Sequence, residues 1–277
     1  VLAANNQPLS AMFGENKVVK RGIPHIAIPT TAGTGSEVTN IAILSVPSEQ
    51  TKKGIVSDFL LPDLAIVAPE MTLSCPQHIT AASGVDALVH AIESYLSNFS
   101  SPITDALAIK AMGMIINHLP TAYRSPQDID ARENMATASL MAGLAFGNAG
   151  VGAVHALAYP LGGRYHISHG VSNALLLPYV MEWNKSVCLT RFTDMANALS
   201  TAITPNDDAE TIANKVIQQL HDLCETVGIP RGMRALGIKE EDIPELATEA
   251  FKVERLLKNN PRKLSLSDIE SIYNAAY

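Results

Sequence analysis

Apolar residues follow two different patterns along the chain, and the pattern changes near Pro76. Before it, short apolar runs at 23–28, 40–46 and 64–68 are separated by Pro, Gly and Thr, which is typical of buried β-strands. After it, apolar residues recur at steps of three and four, which predicts amphipathic helices. The sequence therefore predicts an α/β region followed by an all-α region, with domain boundaries at 1–70 and 71–277.

The first helix is predicted from Pro76 to Leu96 with one apolar face, and the second ends at Pro120. Asp207-Asp208 and Ser265-Leu-Ser267 supply side chains of the kind that cap helix N-termini. No internal repeat or low-complexity tract is present in the sequence. Further helices are predicted at 131–145, 175–184, 209–227, 243–257 and 267–276.

Composition narrows the class of protein. The chain has 277 residues, of which 47% are hydrophobic and 17% charged, so it can bury a large core and is neither disordered nor a disulfide scaffold. Its net charge is −7 and no Lys/Arg cluster exceeds two adjacent residues, which argues against nucleic acid or a membrane surface as partners. Three widely spaced cysteines predict a reducing, cytoplasmic location.

The sequence predicts neither a membrane span nor a signal peptide. Between Glu133 and Arg164 no charged residue occurs, but Asn148, His155 and six glycines favour a buried element over a membrane span. The first residues lack a basic region and a long apolar run, so no signal peptide is expected. They also lack an initiator Met, and we expect the chain to begin inside a longer gene product.

Candidate metal ligands occur on the predicted helices. Asp86 and His90 are four residues apart, so both project from one helix face, although a hydrogen-bonded pair is the simpler explanation of this spacing alone. His155 and His169 are joined by a glycine-containing segment and can converge on one point, but a core imidazole and a capping imidazole are the simpler alternatives. Together the four would form a set of three nitrogens and one oxygen, suited to Fe(II), Zn(II), Co(II) or Ni(II).

A small-residue loop, Thr30-Thr-Ala-Gly-Thr-Gly-Ser-Glu37, follows the first predicted strand. Its backbone N–H groups and threonine hydroxyls could bind phosphate or ribose oxygens. It matches neither a P-loop nor the G-x-G-x-x-G pattern, and an ordinary exposed turn is an equally good interpretation.

Four motifs follow one another along the chain: Pro29–Thr39; Gly84-Val-Asp-Ala-Leu-Val-His90 with the following Ala-Ile-Glu-Ser-Tyr95; His155 with His169-Gly170; and Asn260-Pro-Arg262. In this order they resemble the motifs of the iron-containing (group III) alcohol dehydrogenases. The resemblance covers essentially the whole chain. It implies a dinucleotide-binding α/β domain followed by a helical metal-binding domain, the superfold of the dehydroquinate synthases. Nicotinamide and metal would meet in the cleft between them.

The resemblance also implies roles for individual residues. Asp86, His90, His155 and His169 would bind Fe(II), or alternatively Zn(II). The implied contacts to NAD or NADP come from the loop, with Lys52 reaching the ribose and Lys53 as the one-residue-shift alternative. The implied reaction is hydride transfer between a primary or secondary alcohol and nicotinamide, with the metal as Lewis acid. The loop residues concerned are Thr30, Thr31, Gly33 and Thr34.

The sequence departs from the family pattern in three places. The N-terminal segment and Gly-rich pyrophosphate loop of the relatives are missing, so only part of the cofactor site is expected. Tyr159 stands where many relatives have a histidine; it could relay a proton, but a phenol with a pKa near 10 is a slower base at neutral pH. Ala68-Pro69 stands where relatives often have Asp-Pro.

Three hypotheses follow. The first is a metal-dependent NAD(P)-linked alcohol dehydrogenase or aldehyde reductase, acting on a small alcohol or aldehyde and forming a homo-oligomer in its full-length form. The second is a truncated, catalytically impaired metal-binding fragment of such an enzyme. The third is a zinc enzyme like glycerol dehydrogenase or dehydroquinate synthase, which the Asp86/His90 pair disfavours. Cofactor binding would distinguish the first two.

Overall fold

A computed structural model describes residues 1–46 and 51–277 of the protein. In these residues, short strands come first and α-helices follow, so the predicted order of an α/β region and an all-helical region is confirmed. The strands are β1 (Gly14–Glu15), β2 (Ile26–Ala27), β3 (Ile41–Val46), β4 (Thr51–Val56) and β5 (Leu64–Ala65). The helices are α1 (Gln77–Leu96), α2 (Pro102–Arg124), α3 (Ile129–Ala149), α4 (Ala153–Tyr165), α5 (His169–Ala198), α6 (Ala209–Thr226), α7 (Ile243–Phe251), α8 (Glu254–Leu257) and α9 (Leu266–Ala276).

β4 is the middle strand of a three-stranded sheet. It pairs in parallel with β1 and antiparallel with β3, whose Ile41 lies opposite Val56. The sequence analysis missed β4, because Lys52 and Lys53 interrupt its apolar pattern. Successive side chains of a strand point to opposite faces, so the two lysines face different surroundings.

The other two strands, β2 and β5, form a small parallel sheet in which Ile26 lies opposite Leu64. Both are shorter than the apolar runs that predicted them. Large apolar side chains of this region stay exposed: Ile23 by 67%, Ile26 by 57%, Leu64 by 51% and Ile66 by 42%. The division into domains at residue 70 stays a prediction.

α1 is the central helix of the helical region and packs against α2, α3 and α5. All residues from 84 to 96 are buried, so the prediction of a single apolar face was wrong: neighbours cover every side of this helix. The buried positions include Asp86, His90 and Glu93. Because a buried charge without partners costs several kcal/mol, these side chains need specific interactions.

The uncharged stretch forms the second half of α3 and most of α4. The sequence analysis missed α4, since Pro160 and two consecutive glycines argue against a helix, yet His155 and its neighbours are buried in it. In the described residues no single helix is long and apolar enough to cross a membrane. α3 and α4 together meet that criterion by length and composition, but they are bent by 103°.

Two further helix ends differ from the prediction. α2 continues through Pro120 to Arg124, because the fully buried Leu119 and Ala122 hold its last turns in the core. The helix predicted at 175–184 is the middle of the much longer α5, which has a kink at Cys188. The segment predicted as one helix at 243–257 is divided into α7 and α8.

Two predicted N-caps are confirmed. The Asp208 carboxylate accepts a hydrogen bond of 2.8 Å from the N–H of Thr211 at the start of α6. Ser265 begins α9 in a capping box with Asp268. Each cap satisfies backbone donors that would otherwise have no partner.

Asn260 and Arg262 tie the C-terminal region to α5. The side-chain amides of Asn260 and Asn184 exchange hydrogen bonds of 2.8 and 3.0 Å, both residues being buried. The Arg262 guanidinium lies 3.7 Å from the ring centre of Trp183 and donates to its carbonyl at 2.8 Å. This signature therefore stabilises the packing, and within the described residues no hydrogen bond joins it to the metal ligands predicted from the sequence.

Candidate metal centre and cofactor cleft

Asp86, His90 and His155 form a compact buried cluster. Their ligating atoms all lie within 4.8 Å of one another. α1 places Asp86 and His90 one turn apart, and the N-terminus of α4 brings the Nε2 atom of His155 to 4.0 Å from Asp86 Oδ1. No hydrogen bond joins Asp86 to His90 in the described structure, so the simple pair considered from the sequence is not formed.

Glu93 holds His155 in place from the next turn of α1. One carboxylate oxygen accepts a hydrogen bond of 2.6 Å from the N–H of Val154 at the start of α4. The other lies 2.6 Å from His155 Nδ1, which donates to it. The lone pair of the imidazole is then on Nε2, and this atom is buried and has no hydrogen-bond partner in the described structure. A buried polar atom without a partner is costly, and a cation bound between this atom and the Asp86 carboxylate would satisfy it, so the donor set fits a metal ion.

His90 is oriented by the small-residue loop. Its Nδ1 lies 3.1 Å from the carbonyl oxygen of Gly33 and donates to it, which leaves Nε2 for a ligand. Its ring stacks on that of Phe146, with centres 4.2 Å apart, and on that of His155, with centres 4.8 Å apart. These three rings form one side of the site.

His169, the first residue of α5, lies at the edge of the cluster. Its Nε2 is 3.9 Å from Asp86 Oδ1, and its side chain is 34% exposed. The buried amide of Asn173 donates to Asp86 Oδ1 at 2.6 Å and lies 3.1 Å from His169 Nε2. His169 therefore belongs to the same site but is outside the compact group of three ligands.

The electrostatic state of the cluster suits a cation. Burial lowers the pKa of His90 to about 3 and that of His169 to about 4. Burial raises the pKa of Asp86, but attraction to the nearby imidazoles and the Asn173 hydrogen bond outweigh it and lower the pKa overall. At neutral pH the site thus presents a carboxylate with neutral imidazoles at His90 and His169, as metal ligation requires.

The loop predicted to bind the cofactor is packed against the helices and is no simple exposed turn. A Cβ atom at Gly33 would lie 2.6 Å from the side chain of Ser83 on α1. Gly35 has a φ of +59°, and a Cβ atom there would lie 2.5 Å from the Cα of Gly143 on α3. Glycine is required at both positions because the backbone approaches so closely.

A cavity of about 290 Å³ opens from the metal cluster. Among the candidate cofactor residues, Thr34 and Lys52 line it, whereas Thr30, Thr31 and Gly33 do not. Lys53 points elsewhere: it lines a neighbouring pocket, and its ammonium lies 5.7 Å from the ring centre of Phe13. Burial lowers the pKa of Lys52, although attraction to Asp86 opposes this.

Tyr159 lines the same cavity one helical turn after His155. Its ring centre lies 6.3 Å from that of His169. Burial raises the pKa of its phenol, and the neighbouring Arg255 guanidinium opposes the shift. Tyr159 therefore stays protonated at neutral pH.

The sequence analysis assigned no role to Glu93, Asn173 or Arg255. Spacing carried a signal for two of them: Glu93 follows His90 by three residues, and Asn173 follows His169 by four, so each shares a helix face with a ligand. Nothing in the local sequence indicates that Arg255 reaches the cavity from the C-terminal region.

Two family descriptions match the chain. Residues 1–69 match "Iron-containing alcohol dehydrogenase" and residues 80–277 match "Fe-containing alcohol dehydrogenase family, C-terminal". The chain belongs to the iron-containing alcohol dehydrogenase family. It is 46% identical over 266 residues to long-chain-alcohol dehydrogenase 1 of Geobacillus thermodenitrificans, a match that covers 96% of this chain and 67% of the relative. The family predicted by resemblance is thus confirmed.

Solved structures support the same assignment. An alcohol dehydrogenase from Oenococcus oeni superposes with a TM-score of 0.96 at 36% identity, covering 100% of this chain and 72% of that one. The sulfoacetaldehyde reductase of Bifidobacterium kashiwanohense, solved with NAD⁺, superposes with a TM-score of 0.86 at 33% identity over 98% of this chain and 70% of that one. These family members are enzymes, and this iron-containing alcohol dehydrogenase is expected to share their class of chemistry.

Proposed function

We propose that the protein is a metal-dependent, NAD(P)-linked alcohol dehydrogenase or aldehyde reductase that acts on primary or secondary alcohols. The observation that carries the proposal is the buried, unpartnered Nε2 atom of His155, which lies 4.0 Å from Asp86 Oδ1. The His155 imidazole and the Asp86 carboxylate lie this close without a hydrogen bond between them, which leaves space for an ion that binds both. Membership of the alcohol dehydrogenase family supports the proposal.

The proposed ligands are Asp86, His90, His155 and His169. A set of imidazoles with one carboxylate fits Fe(II), with Zn(II) as the alternative. Glu93 and the Gly33 carbonyl fix two of the imidazoles by their Nδ1 protons, so these rings present Nε2 without reorganisation. For His169 to bind as well, its ring has to leave the Asn173 amide.

When bound, the ion would supply a Lewis acid for the alcohol or carbonyl oxygen, and the nicotinamide would accept or donate the hydride. The protein's own residues position these groups. Phe146 and the stacked imidazoles close one wall of the site. Tyr159, held protonated beside His169, is proposed to relay the proton between the substrate oxygen and solvent.

NAD or NADP is the proposed cofactor, and the loop with Thr30, Thr31, Gly33 and Thr34 is its proposed contact. Lys52 is preferred over Lys53 as the ribose contact, because Lys52 shares the cavity of the metal ligands. The family member from Bifidobacterium kashiwanohense was solved with NAD⁺, which supports a nicotinamide dinucleotide here. A cytoplasmic location is also proposed, and three free, buried cysteines agree with it.

The test is metal-dependent turnover. The purified protein is stripped of metal, reloaded anaerobically with Fe(II) or Zn(II), and assayed for NAD(P)H oxidation with short aldehydes. We expect activity only after reloading, and we expect its loss in His155→Ala. His118→Ala on α2 is the control, because that histidine lies outside the cavity.

Equal loss of activity in both variants, with the fold intact, would contradict the assignment of the histidines. Binding of the ion without binding of NAD(H) would favour the alternative, a metal-binding protein without dehydrogenase turnover. NAD(H) binding is measured directly by the quenching of protein fluorescence or by calorimetry, so this outcome does not depend on finding the right alcohol.

A further inference from the structure

Two cationic side chains line the cavity beside the metal cluster, and neither forms an ion pair in the part of the chain that the structure describes. Lys52 on β4 and Arg255 on α8 both line it. In the described residues neither one has a carboxylate oxygen within 4.0 Å. Among residues 1–46 and 51–277, the only acidic side chain that lines this cavity is that of the proposed metal ligand Asp86.

Other basic residues nearby are paired. Arg164, in the neighbouring pocket, forms ion pairs with Asp242 and Glu245. Lys252, in the same pocket, lies 2.6 Å from a carboxylate oxygen of Glu249. Lys52 and Arg255 line this neighbouring pocket as well, but unlike Arg164 and Lys252 they form no ion pair within the residues that the structure describes.

The net positive charge of the cavity favours an anionic ligand. Asp86 offsets only one of the two charges of a divalent ion, and Lys52 and Arg255 add two more. A neutral alcohol leaves these charges uncompensated in a partly buried space, which is unfavourable. One part of a negatively charged ligand can reach the ion while another part meets the guanidinium.

Arg255 is the better of the two for recognising such a group. Its guanidinium is a planar donor that pairs with carboxylate, sulfonate or phosphonate oxygens through two hydrogen bonds. It lies beside Tyr159, and one of its Nη atoms is 3.7 Å from the position of a Cβ atom at Gly54, so β4 and α4 flank it. Lys52 is the proposed ribose contact of the cofactor, which leaves Arg255 free for the substrate.

We propose that the substrate is a short alcohol or aldehyde that bears an anionic oxyacid group at its far end, and that Arg255 binds this group. The inference rests on the proposed function and specifies its substrate class. A cavity of about 290 Å³ is at the small end for ligand pockets, which favours short chains.

The experiment compares charged and neutral aldehydes of equal length. Reduction of 4-oxobutanoate and of butanal is measured with the metal-loaded enzyme and NADH or NADPH. We expect a higher kcat/KM for 4-oxobutanoate. Arg255→Gln should lower the ratio of kcat/KM for 4-oxobutanoate to kcat/KM for butanal by roughly 10- to 100-fold, as for the loss of a charged hydrogen-bonding pair. The ratio is the readout because Arg255 also neighbours Tyr159, so the substitution affects the turnover of both aldehydes.

Two further variants separate binding from folding. Arg255→Lys keeps the charge and should recover part of the preference for 4-oxobutanoate. Arg124→Gln removes the same charge at an exposed position at the end of α2, and should change neither substrate's kcat/KM. Melting temperatures of all variants establish that the fold is retained.

Several results would overturn the inference. An equal kcat/KM for the two aldehydes, or an Arg255→Gln variant that keeps the preference, would contradict it while leaving the dehydrogenase function intact. If Arg255→Gln instead weakens NAD(P)H binding and spares the ratio of substrates, Arg255 binds the phosphates of the cofactor.

A failure of the proposed function would be seen separately, as no turnover of either aldehyde. In that case calorimetry tests the anion site without turnover, by measuring how tightly the metal-loaded protein binds 4-hydroxybutanoate and 1-butanol. Tighter binding of 4-hydroxybutanoate that is lost in Arg255→Gln supports the anion site. Equal binding, or no effect of the substitution, contradicts it.

Discussion

Glu93 uses both of its carboxylate oxygens on the start of the helix that carries His155. One oxygen accepts from the backbone N–H of Val154 and the other from the imidazole, each at 2.6 Å. The same residue thus satisfies a free donor at a helix N-terminus and fixes which imidazole nitrogen bears the proton. This explains how a carboxylate can be 4% exposed in the centre of the molecule.

Glu93→Gln tests this role. The glutamine oxygen can still accept from Val154, but its amide would donate to His155 Nδ1 and shift the imidazole proton to Nε2, the proposed ligating atom. We expect metal affinity to fall by about 10- to 100-fold. Calorimetric titration with Zn(II) measures it, and Glu133→Gln on the exposed face of α3 is the control. An unchanged affinity would show that Glu93 does not control the ligand.

The buried imidazoles make the stability of the metal-free protein depend on pH. The pKa of His90 is about 3 and that of His169 about 4 in the folded state, against about 6.5 when unfolded, so the unfolded chain binds more protons below pH 6.5. The free energy of unfolding should therefore fall as the pH drops from 7 to 5, by on the order of 1–2 kcal/mol for each imidazole.

Urea denaturation of the metal-free protein at pH 7, 6 and 5 measures this dependence. His90→Gln should reduce the slope, because it removes one group that takes up a proton on unfolding. A free energy of unfolding that is constant, or that rises toward pH 5, would mean that the imidazoles are not held neutral by burial.

At the scale of elements, the loop before β3 packs closely against the helix α3, because both have a glycine where they touch. A Cβ atom at Gly143 would lie 2.9 Å from the Cα of Gly35 and 2.9 Å from a methyl carbon of Val38. An alanine in a helix is normally favoured over glycine by about 1 kcal/mol. Here a contact with backbone atoms opposes this gain, so Gly143→Ala should displace the loop and destabilise the protein.

Gly147 provides a matched control one turn later in the same helix. A Cβ atom there would meet the methyl of Thr39 at 3.5 Å and the carbonyl oxygen of Val38 at 3.7 Å, both ordinary contact distances. Thermal denaturation should show a lower melting temperature for Gly143→Ala and an equal or higher one for Gly147→Ala. Similar effects of both substitutions would show that the loop does not pack as described.

The elements that could be predicted from sequence are those with strong local signals. α1, α6 and α9 have a helical pattern or a capping side chain, and the predicted helices agree with them within a few residues. α4 and β4 were missed because Pro160, the glycines and the paired lysines argue locally against them. Burial between neighbours stabilises both elements, and that information is not local.

The residues of the site differ in the same way, some being indicated by local sequence and others only by the packing of distant segments. The spacing of Asp86 and His90 predicts their shared helix face, and family resemblance added His155 and His169. Arg255 could not be found in this way, because it approaches the cavity from a region more than 80 residues beyond His169. The packing of α8 on α4 brings it there, with its guanidinium next to Gly54 of β4.

For the whole molecule, the exposed apolar side chains of β2 and β5 predict association. Ile26 and Leu64 lie opposite each other and are each more than half exposed, with Ile23 close by in sequence. Contiguous apolar surface of this kind favours contact with another protein surface or with a second copy of the chain. We expect the purified 277-residue chain to self-associate at micromolar concentration.

Size-exclusion chromatography with light scattering measures this association. The double variant Ile26→Lys, Leu64→Lys should shift the protein toward the monomer. Ile103→Lys is the control, since Ile103 is 76% exposed on α2, away from these strands. A monomeric parent chain, or dissociation by the control substitution, would contradict the prediction.

The central claim, one catalytic metal ion held by residues of α1, α4 and α5, is tested most directly by crystallography of the Fe(II)-loaded protein with anomalous data above the iron edge. The account predicts a single strong peak about 2.0–2.3 Å from Asp86, His90, His155 and His169, with His169 turned away from Asn173. A peak at other residues, or a fully loaded crystal in which any of these four side chains does not reach the ion, would contradict it.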